Sequence, residues 1–120
     1  MFDHVGLRLK DLKKSVRFYQ AILEPLGYVL ASEDSSSAGF GPPNAPTLWL
    51  VADAKGGGAH LAFKAPSRAA VDAFHRAGTA AGARDNGPPG VRPDYAPTYY
   101  AAFLIDADGN NIEAVHVGGV

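Results

Sequence analysis

Two of the four histidines in this chain occupy matching places in two short alternating segments, DHVGLRL and AHLAFKA. His4 and His60 are 56 residues apart, and Arg8 and Lys64 repeat the same spacing. In a strand, side chains alternate between faces, so His4 and His60 share a face opposite the apolar residues Val5, Leu7, Leu61 and Phe63. Near the end of the chain, NIEAVHV places Glu113 between Ile112 and Ala114. If those apolar neighbours turn toward a helix, then Asn111, Glu113 and Val115 turn the way the two histidines do. Two imidazoles and one carboxylate with open coordination positions are the ligand set of a catalytic divalent metal. The expected cofactor is one ion (Zn, Ni, Fe or Mn), whose open positions would take two adjacent oxygens of a small substrate and stabilise a developing oxyanion. His116 has the wrong parity for this set, and His75 falls within a helix.

The elements that must position these residues follow from periodicity. Residues 2–9 alternate as a strand. Asp11 is placed as a helix N-cap before a stripe of Leu12, Val16, Tyr19, Ile22 and Leu23, which Pro25 and Gly27 end. Three short strands follow: residues 28–31, a piece around Phe40, and residues 47–51. After Gly56, Gly57 and Gly58 the pattern recurs. A strand at 59–65 leads to the N-cap Ser67 and a helix with Val71, Phe74 and Ala81 inward, stopped by Gly82. Residues 83–97 carry four prolines and read as a long loop. Strands at 99–105 and 111–117 close the chain around the turn at 106–110. Pairing Ile105 with Asn111 sets Phe103 opposite Glu113 and turns Tyr99 to the same side, whereas a slip of one residue would present Tyr100 instead. Tyr99 is therefore expected to orient substrate or move a proton. Trp49 and Phe103 are expected to wall the pocket, with Arg8, Lys64, Arg92 and Tyr100 as further substrate-binding residues.

Phe18 and Phe74 are also 56 residues apart, and Gly27 and Gly82 are 55 apart. The order of elements thus occurs twice, which predicts an α+β fold of two βαβββ modules. Their eight strands would form a curled mixed sheet around a cavity. The expected organisation is one domain over 1–120, with module one at 1–54, a glycine joint at 55–58 and module two at 59–120.

Composition removes other classes. The 120 residues are 47% apolar and carry 11 basic and 12 acidic side chains, a formal charge of -1 that offers no footprint for nucleic acid. Zero cysteines leave no disulfide framework and no thiolate zinc site. No apolar run reaches the length of a signal peptide or membrane span, so a cytoplasmic protein without a membrane partner is expected. The triple glycine has no Lys-Ser after it and is no phosphate loop.

The segments DHVGLRLKDLKKSVRFYQAILEPLGY, AHLAFKAPSRAAVDAFHRA and YYAAFLIDADGNNIEAV together resemble the vicinal oxygen chelate superfamily, the glyoxalase, bleomycin-resistance and extradiol dioxygenase group. The last segment is similar to that family's F-x-x-D-P-D-G-x-x-I-E signature, with Ala107 in place of the proline. The resemblance implies paired βαβββ modules, frequent homodimers with modules pairing within or across chains, and His4, His60 and Glu113 as metal ligands. Glyoxalase I carries a further glutamate in a segment like V-I-E-L, where this chain has Trp49, and indole cannot ligate a metal. Two functions are implied. One is a metal-dependent lyase, isomerase or dioxygenase acting on a small substrate through vicinal oxygens. The alternative is a non-catalytic dimer that sequesters a ligand or drug.

Overall fold

The computed structural model describes residues 1–118. Strand β1 (Val5–Leu9) leads to helix α1 (Leu12–Leu23), a single 3₁₀ turn (Glu24–Leu26), and strands β2 (Val29–Glu33), β3 (Ser37–Gly41) and β4 (Leu48–Ala52). The second half repeats this order: β5 (His60–Lys64), α2 (Arg68–Ala80), β6 (Arg84–Val91), β7 (Tyr99–Ile105) and β8 (Asn111–Val117). The eight strands divide into two four-stranded mixed sheets, ordered β1-β4-β3-β2 and β5-β8-β7-β6. In each, the first strand runs parallel to the last and the remaining pairs are antiparallel.

Local chemistry sets the boundaries. Asp11 accepts a hydrogen bond from the Lys14 amide and caps α1, and Ser67 does the same for α2 through the Ala70 amide. The 3₁₀ turn holding Pro25 ends at Gly27, whose φ of 91° is the left-handed conformation that glycine adopts without Cβ strain. One hydrophobic cluster takes side chains from both halves, among them Leu7, Tyr19, Ile22, Phe40 and Leu50 from the first and Phe74, Leu104 and Ile112 from the second. Both helices pack on this cluster, so each sheet covers one face and leaves the other open.

Two expectations are corrected. Residues 83–97 are not a continuous loop, because 84–91 form strand β6, paired to β7 with register shifts between Asp85 and Gly87 and between Gly87 and Gly90. β6 is the outer edge strand, where Pro88 and Pro89 interrupt no inner ladder, and the bulges erase the alternation that marks a strand in sequence. Ala81 is exposed, one residue past the end of α2, and the inward stripe is Ala70, Val71, Phe74 and Gly78.

The turn between β7 and β8 ties the halves together. Asp106 accepts from the Tyr19 hydroxyl (2.6 Å), the Asn110 side-chain amide (2.8 Å) and the backbone amides of Asp108 and Asn110. Asn110, fully buried, accepts from the amides of Gly58 (2.7 Å) and Ala59 (2.8 Å) through its carbonyl oxygen. A Cβ on Gly57 would stand 2.3 Å from that oxygen, so the joint can close on the turn only with glycine there. This cluster fixes the backbone that leads into His60.

Candidate metal centre

β5 pairs His60 with Asn111 and Ala62 with Glu113, while β7 pairs Phe103 with Glu113 and Ile105 with Asn111. Glu113 therefore lies on the middle strand of three, facing the open side of the second sheet. Its side chain is 4% exposed, against 50% for His60. His60 Nε2 is 3.1 Å from Glu113 Oε1. The other carboxylate oxygen accepts from the Tyr99 hydroxyl. Burial first, then the hydrogen bond to Glu113, pushes the Tyr99 phenol up to about 12, so at neutral pH it keeps its proton and remains a donor.

His60 Nδ1 is 3.0 Å from the Asn111 carbonyl oxygen. A carbonyl only accepts, so Nδ1 carries the proton, and in the neutral ring Nε2 presents a lone pair. That lone pair faces a lone pair of Glu113. The contact is closed either by a proton on Nε2, as an imidazolium–carboxylate pair, or by a cation shared between the two acceptors. A ring nitrogen fixed by a backbone carbonyl and a carboxylate fixed by a phenol are the supporting contacts of a metal site. The donor set thus fits a divalent ion held by His60 and Glu113.

The His60 ring stacks with Phe103 at a centroid distance of 6.5 Å and 19° between planes. The Arg92 guanidinium lies 5.4 Å from the Phe103 ring centre and donates to the carbonyls of Pro88 (2.7 Å) and Gly90 (3.0 Å). Tyr95, 66% exposed, meets Tyr99 edge to face at 5.1 Å. Sequence reasoning did not single out this contact, because it arises from the chain folding back after β6.

His4 lies one residue before β1, at the end of the other sheet. Its Nδ1 is 2.8 Å from Asp3 Oδ1, and it borders a recess of about 460 Å³ with Gly6, Ser37, Trp49 and Val51. Among the described residues, no group of three His, Cys, Asp or Glu side chains gathers within the chain. Trp49 lies over Gly39, where a Cβ would sit 2.9 Å from the indole. Trp49 pairs with Gly6 in the register in which Glu113 pairs with Ala62, so it fills the place of a module-one carboxylate.

Of the other three expected substrate residues, Tyr100 alone turns to the opposite face. Tyr100 points to the helical side, donating to Asp72 at 2.5 Å with Arg68 5.0 Å from its ring centre, so it is not on the face of Glu113. The register that places Phe103 opposite Glu113 turns Tyr100 away by strand alternation. Arg8 is exposed and 3.8 Å from Asp53. Lys64 is exposed on the same face of β5 as His60. His116 faces the helical side as expected and reaches the Ala65 carbonyl at 3.0 Å, and His75 pairs with Asp85 at 2.9 Å.

Two four-stranded βαβββ sheets with a histidine–carboxylate pair on an open face define the glyoxalase-like class of α+β proteins. The chain belongs to the Glyoxalase/Bleomycin resistance protein/Dioxygenase superfamily, whose family model matches residues 1–114. It is similar to the crystal structure of a glyoxalase/bleomycin resistance protein from Albidiferax ferrireducens T118, with 34% identity, 98% of this chain and 99% of that one covered, and a TM-score of 0.85. The fold is also that of a glyoxalase/bleomycin resistance protein/dioxygenase family enzyme from Burkholderia phytofirmans PsJN (19% identity, coverage 97% and 98%, TM-score 0.73). A third match is a glyoxylase/bleomycin resistance protein/dioxygenase domain from Frankia sp. EAN1pec (23% identity, coverage 96% and 95%, TM-score 0.69). Among curated proteins, none matches the chain. No helix among the described residues is long and apolar enough to cross a membrane.

Proposed function

We propose that this chain is a metal-dependent enzyme of glyoxalase or dioxygenase type, acting on a small substrate that chelates a divalent ion through vicinal oxygens. The observation that carries the reading is the facing pair of His60 Nε2 and Glu113 Oε1, each held from behind by its own hydrogen bond. The third ligand is His4, supplied by a second copy. In a homodimer that sets module one of one protomer against module two of the other, the exposed faces bearing His4 and His60 meet. Exposed valines on those faces, Val51 at 38% and Val117 at 58%, favour covering them.

A bound ion of this kind acts as a Lewis acid toward a developing oxyanion. The chain's own residues do the rest. Tyr99 keeps Glu113 oriented, Phe103 and Trp49 wall the two halves of the pocket against water, and Arg92 and Lys64 supply positive charge beside an anionic substrate. His4, His60 and Glu113 would hold the ion, and Trp49, which has no ligating atom, would leave its remaining positions to substrate oxygens.

The rival is a dimer that sequesters a ligand without chemistry. It draws on the separation of His4 from the His60–Glu113 pair within one chain. Elemental analysis of untagged protein separates the two. The enzyme reading expects about one divalent ion per chain, lost in His60→Ala, Glu113→Gln and His4→Ala variants that still fold. Protein without stoichiometric metal, together with ligand binding untouched by His4→Ala, establishes the rival.

A further inference from the structure

On the helical side of the sheets, away from His60 and Glu113, a cavity of about 240 Å³ opens between the first half of α1, the chain just past α2, and the β7–β8 turn. Phe18 gives it an apolar wall, and small residues from 81 to 83 leave it unfilled. Lys14 and Arg17 line it. Neither forms an ion pair with an acidic side chain among the described residues. These cations lie in the first half of α1, whose first turn carries no acidic residue. The carboxylate at this end of α1, Asp11, caps the helix by accepting from the Lys14 amide and is not ion-paired with either side-chain cation. Ser15, only 7% exposed, lines the same cavity, and its hydroxyl makes no hydrogen bond to the described residues. Among the described residues the one buried side-chain polar atom without a partner is Arg68 Nε, so the Ser15 hydroxyl is open to the cavity and free to bond a ligand there. The one carboxylate in the wall, Asp106, is occupied by four hydrogen bonds from within the chain.

From these observations we propose that the cavity is a second binding site, for a small organic anion with a carboxylate or phosphate head and a flat apolar body. The head meets Lys14, Arg17 and the Ser15 hydroxyl, and the body lies against Phe18. The cavity holds a single ring and little more. The site is independent of the metal centre, since it uses none of its residues and lies on the other side of the sheet.

The test is an amide chemical-shift titration of the full-length protein with benzoate, phenyl phosphate and the neutral analogue benzamide. Saturable shifts at Lys14, Ser15, Phe18, Gly82 and Ala107, with dissociation constants of about 1 mM or below, are expected for at least one anion. The tighter of the two identifies the preferred head. Benzamide binds at least about tenfold more weakly, and so do the anions to the Lys14→Gln/Arg17→Gln double variant. Ser15→Ala lowers affinity about threefold, and Ala81→Phe, at an exposed position beside the cavity, blocks binding while leaving metal content unchanged. Equal binding of benzamide, undiminished binding to the double variant, or shifts confined to the face of His60 overturn the proposal.

Discussion

Trp49 stands in the first sheet where Glu113 stands in the second. Each lies on the strand parallel to the first strand of its module, opposite Gly6 and Ala62, and those two partners are 56 residues apart. The repeat therefore presents a histidine on both faces and a carboxylate on only one.

Restoring the symmetry is a direct experiment. Trp49→Glu places a carboxylate two pleats from His4, as Glu113 is placed from His60, and metal affinity is expected to rise about tenfold or more. The loss of the indole over Gly39 costs about 2–3 kcal/mol of stability, read from a urea melt. Metal affinity that falls in a folded variant would show that the two sheet faces do not share one ion.

Tyr99 donates to Glu113, and in the proposed centre it would act as a positioning residue. Tyr99→Phe keeps the ring against Tyr95 but removes the donor to a buried carboxylate. Metal affinity should fall about 10–100-fold and stability by about 1–2 kcal/mol, with the fold intact by circular dichroism. Unchanged metal binding would remove Tyr99 from the site.

The Asp106 cluster holds the two halves in register. Asp106→Ala leaves the buried Tyr19 hydroxyl and the Asn110 amide without acceptors and should cost about 3–5 kcal/mol in chemical denaturation. Tyr19→Phe deletes one donor and should cost about 1–2 kcal/mol. A loss below about 0.5 kcal/mol for both variants would mean that the halves are held by apolar packing alone.

Alkali probes the same phenols. Burial, more than the neighbouring Asp106, pushes Tyr19 well above its ordinary range, and burial with the Glu113 hydrogen bond pushes Tyr99 up to about 12. The unfolded chain loses these protons near pH 10, so the stability the two groups confer is complete below that value. It disappears as pH rises through their folded-state values, about 12 for Tyr99. Melting temperature should drop across this window, and tyrosinate absorbance should show three of the five tyrosines, Tyr19, Tyr99 and Tyr100, ionising above the ordinary phenol range. Five tyrosines titrating together near pH 10 in folded protein would contradict the placement of Tyr19 and Tyr99.

Much of this architecture was legible along the chain. The caps at Asp11 and Ser67, the apolar stripe of α1 and both closing strands follow from periods of 3.6 and 2 and from side chains that satisfy helix ends, all local effects. Parity placed His60, Phe103 and Glu113 on one face because strand alternation needs no knowledge of the rest of the fold. Strand β6 escaped because bulges at prolines and glycines destroy alternation, and its pairing with β7 comes from hydrogen bonds between distant segments. Tyr100, adjacent in sequence to Tyr99, was assigned its partner Asp72 by α2 packing across the sheet. The separation of His4 from His60 within one chain was likewise decided by tertiary structure, since a repeat in sequence fixes what each sheet presents but not which sheet it meets.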